Sequence, residues 1–185
     1  MIDEFREIES KYFLEGETYP GAIVKLGKAL RFKDEAPKEK AGSGEDTFWR
    51  VDNDTFVRLR HYDEGDYPTC GQLSVKCNDK GGITDRLETN VELHTQKDLD
   101  NAKAMCNHLY GEPTRKVWKE YHIFYLSNGT NFVVYKTNYP GIPLILEFEA
   151  GSNGGLQILD GFAHCIFKLG KRVEHSLFTL VGMQE

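Results

Sequence analysis

The chain has no apolar run approaching the length of a membrane span, and residues 1–15 lack the apolar core of a secretory signal, so no membrane partner is expected. Its four cysteines, Cys70, Cys77, Cys106 and Cys165, include no CxxC pair and no metal-finger spacing. They read as free thiols of a cytoplasmic protein, with disulfides as the lesser alternative. Positive charge is not in surplus. A formal net charge of -6 and a pI near 5.6 give no global attraction to DNA or to an anionic membrane, and any polyanion must be met by a local cluster of the 23 basic residues. Internal repeats and low-complexity tracts are absent, and the six histidines show no ligand spacing. At 185 residues the chain is long enough for a single domain, residues 1–185, with a sizeable core.

What the chain does have is charge at strand spacing. Glu7, Glu9 and Lys11 alternate with Ile8 and Tyr12, so in an extended strand the ionic groups share one face. Arg58 and Arg60 repeat the alternation in Val-Arg-Leu-Arg, Arg86 and Glu88 in Arg-Leu-Glu, and Glu147 and Glu149 in Leu-Glu-Phe-Glu. One surface strand would not need ionic groups of both signs in segment after segment. Several such strands suggest a shared polar cavity and a highly charged ligand to fill it.

The pattern predicts strands with a few inserted helices. Strands are expected over 5–14, 46–51, 55–62, 71–78, 84–94, 116–126, 131–137 and 143–150. Ser127-Asn128-Gly129 signals a hairpin. Helices are expected from Tyr19 to Phe32, from Gln96 to Tyr110 and from about 156 to 169, with a short segment around 175–181 closing the chain. Lys33 to Glu45, polar and carrying Pro37 and Gly-Ser-Gly at 42–44, reads as a mobile loop.

Eight antiparallel strands can close into a barrel that just holds side chains and one small ligand. The expected fold class is therefore α+β: an eight-stranded antiparallel β-barrel tunnel with a charged interior, flanked by about three helices. Ile8, Leu59, Val75, Leu87, Val91, Leu146 and Phe148 would face outward, under the helices. Unpaired buried ions are costly, so the interior must be wet, mixed in sign, or balanced by ligand. Carboxylates alone would want a divalent cation, and Arg and Lys alone would want phosphate. The two together suit a metal-bound polyphosphate.

With these residues in view, Glu7-x-Glu9-x-Lys11 resembles the ExExK signature of the CYTH superfamily, the triphosphate tunnel metalloenzymes. Asp46-Thr47-Phe48-Trp49 resembles its DxYFD-type strand, Phe56-Val57-Arg58-Leu59-Arg60 its LRxR strand, Leu73-Ser74-Val75-Lys76 its LTxK and Arg86-Leu87-Glu88 its RxE. Lys119 falls where the family places a lysine after a helix, and Gly141 with Leu146-Glu147-Phe148-Glu149 resembles the segment ending in its ExE strand. One such triplet is weak, but the ordered series from 7 to 149 is specific. The resemblance implies that Lys11, Arg58, Arg60, Lys76, Arg86 and Lys119 grip the phosphates and that Glu7, Glu9, Glu147 and Glu149 hold Mg2+ or Mn2+, with Glu88 nearby. Glu7, Glu9, Lys11 and Glu88 would be the catalytic set, and in a triphosphatase the metal would position water for attack on a terminal phosphorus.

The chain departs from the pattern in three places. Tyr121 stands where the family has an arginine, Val134-Tyr135-Lys136 offers no carboxylate on the strand after the hairpin, and the closing Ser-Tyr is Ser176-Leu177. These changes would alter the substrate, weaken turnover, or leave a binder. The expected function is a metal-dependent phosphohydrolase acting on tripolyphosphate or on a nucleoside or thiamine triphosphate. A class IV adenylate cyclase converting ATP to cyclic AMP and pyrophosphate is the runner-up, and a non-catalytic nucleotide or polyphosphate binder the third reading. A monomer or homodimer is expected. The duller explanation is that these charges are solvated faces of independent strands. Trp49 and Trp118 read as core residues, and Cys106 and Cys165 as buried on apolar helix faces.

Overall fold

A computed structural model describes the backbone at residues 2–32, 37–53, 55–63, 70–77, 83–150, 153–173 and 175–182, and side chains within these ranges except at 2–7, 83–87 and 153–154. Nine strands and four helices are described. In chain order they are β1 (Ile2–Leu14), α1 (Tyr19–Arg31), β2 (Lys38–Arg50), β3 (Thr55–Tyr62), β4 (Gly71–Cys77), β5 (Ile83–Leu93), α2 (Gln96–Tyr110), β6 (Arg115–Tyr125), β7 (Asn131–Thr137), β8 (Ile145–Glu149), α3 (Asn153–Ile166), β9 (Leu169–Arg172) and α4 (Leu177–Gly182).

Local chemistry explains most of these boundaries. The Thr18 side chain accepts from the Gly21 amide at the start of α1, and Thr95 with Asp98 forms a reciprocal capping box on α2. Gly129, at φ 81°, turns the chain between β6 and β7. All pairings are antiparallel, in the order β5-β4-β3-β2-β6-β7-β8-β1-β9. β1 also pairs with β5 from Ile2↔Val91 to Ser10↔Ile83.

Two expectations about elements are corrected. The loop expected through Glu45 is strand from Lys38 onward, in register with β6 from Lys38↔Tyr125 to Phe48↔Arg115. Gly44, which read as a loop glycine, sits where a Cβ would come within 2.3 Å of the His61 carbonyl oxygen. It is there because two backbones meet closely. The second correction is the strand count, raised from eight to nine by β9, whose four residues pair beside β1 and show too short a pattern to read.

Alternation along the strands sorts the side chains. Ile8, Tyr12, Phe124, Phe132, Val134, Leu146 and Phe148 form one core with α1 and α3, and Trp49, Val57 and Leu59 form another with Leu99, Ala102 and Cys106 of α2. A third cluster lies on the opposite face, where Phe48, Phe56, Val117, Tyr135 and Ile145 meet Leu177, Phe178 and Val181 of α4. Phe178 stacks on Phe56 at 5.3 Å and carries Arg115 over its ring at 4.6 Å. Ile8, Leu59, Leu146 and Phe148 are buried as expected, with Val91 partly so, while Leu87 lies outside the described side chains. Val75 is exposed, correcting the expected burial. Trp118 and Cys165 are also exposed, correcting the expected burial, whereas Trp49 and Cys106 are core. The four cysteines are free. Among the described residues no helix is long and apolar enough to cross a membrane.

Candidate functional site

The strand faces not covered by α1, α2 and α3 line one cavity of about 360 Å³. β1 sends in Glu9 and Lys11, β2 Asp46, β3 Arg58 and Arg60, β4 Lys76, β5 Glu88 and Glu92, β6 Lys119, and β8 Glu147 and Glu149. Every candidate residue whose side chain is described therefore lines the same space. Glu7 and Arg86 lie outside the described side chains, although their backbones are direct partners across β1 and β5. The reading of Arg58 and Arg60 as solvated surface residues is overturned, since both line this cavity.

Cross-strand register builds the ionic pairs. Asp46 lies opposite Arg60, whose Nε and Nη2 donate to the two carboxylate oxygens at 2.6 and 2.8 Å, and Lys119 Nζ approaches at 3.3 Å. Burial would push the Asp46 carboxyl up, but the charges of Arg60 and Lys119 outweigh it and hold the group well below the usual carboxylate range. Burial brings the Lys119 ammonium down to about 8, with Asp46 opposing that fall. Lys76 lies opposite Glu88 and pairs with it, while Arg58 Nη2 donates to Gln72 and Ser74 at 3.0 Å each. Among the described residues, the buried Arg58 Nε and Asn90 Oδ1 find no hydrogen-bond partner.

The third group is acidic. Glu9 lies opposite Glu149 and Lys11 opposite Glu147 across the β1–β8 pairing. Glu9, Glu147 and Glu149 each bring one oxygen to within 4.8 Å of the others. Lys11 pairs with Glu9 and lies 3.6 Å from Glu147, and Asn131 donates to Glu149 at 2.9 Å. Three convergent carboxylate oxygens are a donor set for a hard divalent cation such as Mg2+ or Mn2+. Lys11 supplies the compensating charge within the protein.

Sequence reading left out several lining residues. Asp46 sits in a motif of the resemblance but was assigned no role, and the register sets it opposite Arg60. Gln72, Asn90, Glu92 and Asn131 carry no motif, and only register places them. Tyr135, in the strand noted for its lack of a carboxylate, is 1 % exposed. Its ring carries Lys119 Nζ at 4.6 Å, and its hydroxyl faces Glu147 without closing a hydrogen bond of acceptable geometry. Burial, then the charges of Glu147 and Glu9, raise that phenol well above its ordinary value.

No protein-family model matches the sequence, nor does any curated protein. Solved structures do match. The PH1819 protein of Pyrococcus horikoshii has a TM-score of 0.69 at 15 % identity, over 97 % of this chain and 99 % of that one. A candidate adenylate cyclase of Vibrio parahaemolyticus has a TM-score of 0.62 at 16 % identity, over 96 % and 98 %. HpAC1 of Hippeastrum, a candidate adenylyl cyclase described as having a dominant triphosphatase activity, has a TM-score of 0.60 at 17 % identity, over 97 % and 96 %. The chain shares the fold of these proteins over nearly its whole length.

Proposed function

We propose that the chain is a metal-dependent phosphohydrolase of the CYTH type that cleaves a triphosphate held in a β-barrel tunnel. One observation carries the reading: cations and carboxylates from seven strands line a single cavity. The return pairing of β1 with β5, beside its pairing with β8, supports a sheet closed on itself, with eight strands as wall and β9 outside the ring.

The division of charge suits the ligand. Arg58, Arg60, Lys76 and Lys119, with Arg86 from β5, would take the non-bridging oxygens, and the unpartnered Arg58 Nε has an acceptor waiting in a phosphate. Glu9, Glu147 and Glu149, with Glu7 on the same strand, would hold Mg2+ or Mn2+. A divalent cation there supplies positive charge beside the phosphoryl group and lowers the pKa of bound water. Lys11 supplies positive charge beside these carboxylates, so a cation held by them would free its ammonium for phosphate. Metal and triphosphate therefore bind with positive coupling. Hydrolysis then adds water to a terminal phosphorus and breaks its bridging P–O bond, releasing orthophosphate.

The names of the HpAC1 and Vibrio proteins keep cyclisation in view as the second reading. Product analysis decides between them. Tripolyphosphate and ATP, each with Mg2+ or Mn2+, are expected to yield orthophosphate, and Glu9→Gln is expected to abolish the metal-dependent part. Cyclic AMP with pyrophosphate from ATP would replace hydrolase by cyclase, and tight binding without turnover would replace both by a binder. Absence of triphosphate binding would overturn the tunnel reading itself.

A further inference from the structure

Among the described residues, Tyr135 is one of the polar groups in the cavity wall that the ion pairs leave over. It lies on β7, opposite Tyr121 of β6 and Ile145 of β8, among residues of the apolar cluster that also holds Phe48 and Phe56. The next inward residue along the strand, Val133, stands opposite Glu147. A tyrosine is therefore placed where the apolar end of the cavity meets the acidic group. Phenylalanine would fill the same volume without a hydroxyl to desolvate, and a buried hydroxyl lacking a partner is costly. Among the described residues that hydroxyl closes no hydrogen bond of good geometry, although it faces the Glu147 carboxylate.

The surroundings specify what it would bind. A phenol at neutral pH has one proton to give. Glu147 faces it, but that carboxylate already serves Lys11 at 3.6 Å and converges with Glu9 and Glu149 on one point. The ring is held in place by the Lys119 ammonium above it and by Ile145 beside it. The hydroxyl thus lies beside Glu147 of the carboxylate group, on a ring that carries the Lys119 ammonium. A phosphate oxygen lying between Lys119 and a cation held by those carboxylates would accept its proton.

We propose that Tyr135 is a substrate-binding residue whose neutral hydroxyl donates to a non-bridging phosphate oxygen between Lys119 and the Glu9–Glu147–Glu149 group. This inference rests on the triphosphate reading above and adds a ligand contact to it. A neutral donor at this point grips phosphate without adding another positive charge beside Lys119 and Arg60.

The test is Tyr135→Phe, which keeps the ring and its Lys119 contact. Tripolyphosphate affinity is measured calorimetrically with and without Mg2+, Mn2+ affinity of the ligand-free protein by electron paramagnetic resonance, and the melting temperature as a fold control. The variant is expected to bind tripolyphosphate about tenfold more weakly in both series, the scale of one hydrogen bond to a charged acceptor. Its Mn2+ affinity should stay within about twofold, and its melting temperature should hold or rise, since an unpartnered buried hydroxyl has gone. Unchanged tripolyphosphate affinity overturns the inference. So does a loss of melting temperature together with Mn2+ affinity, which would make the hydroxyl a structural partner of Glu147. Wild-type protein that binds no tripolyphosphate removes the tunnel reading and this one with it, whereas wild-type binding with an indifferent variant removes this one alone.

Discussion

Lys119 holds its charge at a cost that burial sets and Asp46 only partly offsets, so its titration falls in an accessible range, about 8. The unfolded chain keeps that proton up to the ordinary lysine value of 10.5. Between these two values the unfolded state binds more protons than the folded one, and this group's contribution to stability rises with pH. Phosphate binding runs the other way, because only the charged amine attracts it. Affinity for Mg2+-bound tripolyphosphate is expected to fall as pH rises through about 8, and Lys119→Gln should lose that component while keeping the ligand's own titration. Matching pH profiles for the two proteins would take Lys119 out of the binding site. Charge pattern alone revealed Arg58 and Arg60 as candidates, because alternation along a strand is a local property, whereas Lys119 was a candidate only through the family resemblance. It did not reveal that Asp46 would be shared by Arg60 and Lys119, since that depends on β2 lying between β3 and β6.

At the scale of elements, α4 is the piece whose position contributes most beyond its length. Six residues make a poor helix in isolation, and its Phe178 is stabilised by stacking on Phe56, contact with Phe48, and the guanidinium of Arg115. Phe178→Ala is expected to destabilise the protein by about 3 kcal/mol in denaturant unfolding, the usual loss for a buried aromatic ring. Mn2+ binding at the Glu9–Glu147–Glu149 group should be retained, because that group lies on β1 and β8. A stability change below about 1 kcal/mol would mean that α4 does not hold the apolar end of the cavity. Periodicity found α1 and α2 almost to the residue, and Thr18 and Thr95 show why: their caps are written in the local sequence. The first half of β2 was read as a loop for the opposite reason. Its glycine and polar residues look like punctuation, and the backbone contact that calls for Gly44 comes from β3.

For the whole molecule, the cavity is a store of charge that the ligand should stabilise. Mg2+ with tripolyphosphate at a hundredfold excess over Kd is expected to stabilise the folded state by about 2.7 kcal/mol. For a chain of this size that raises the melting temperature by roughly 5–10 °C. The effects of tripolyphosphate and Mg2+ added singly should sum to less than the effect of the two together, because Lys11 now neutralises the carboxylates that a cation would occupy. A melting temperature indifferent to both together would show that the cavity does not take this ligand.

The sequence by itself determined which residues alternate and which strands carry ionic faces, and therefore that Glu9, Lys11, Arg58, Arg60, Glu88, Glu147 and Glu149 were candidates for one cavity, while Lys76 and Lys119 joined them through the family resemblance. Periodicity is enforced by backbone geometry, and it survives in the order of residues. Only the tertiary structure decided the partners: Asp46 with Arg60 and Lys119, Lys76 with Glu88, Glu9 with Glu149 across β1 and β8, and Tyr135 beside Lys119. Those pairs join residues far apart in the chain, and antiparallel register fixes them through backbone hydrogen bonds that carry no side-chain signature.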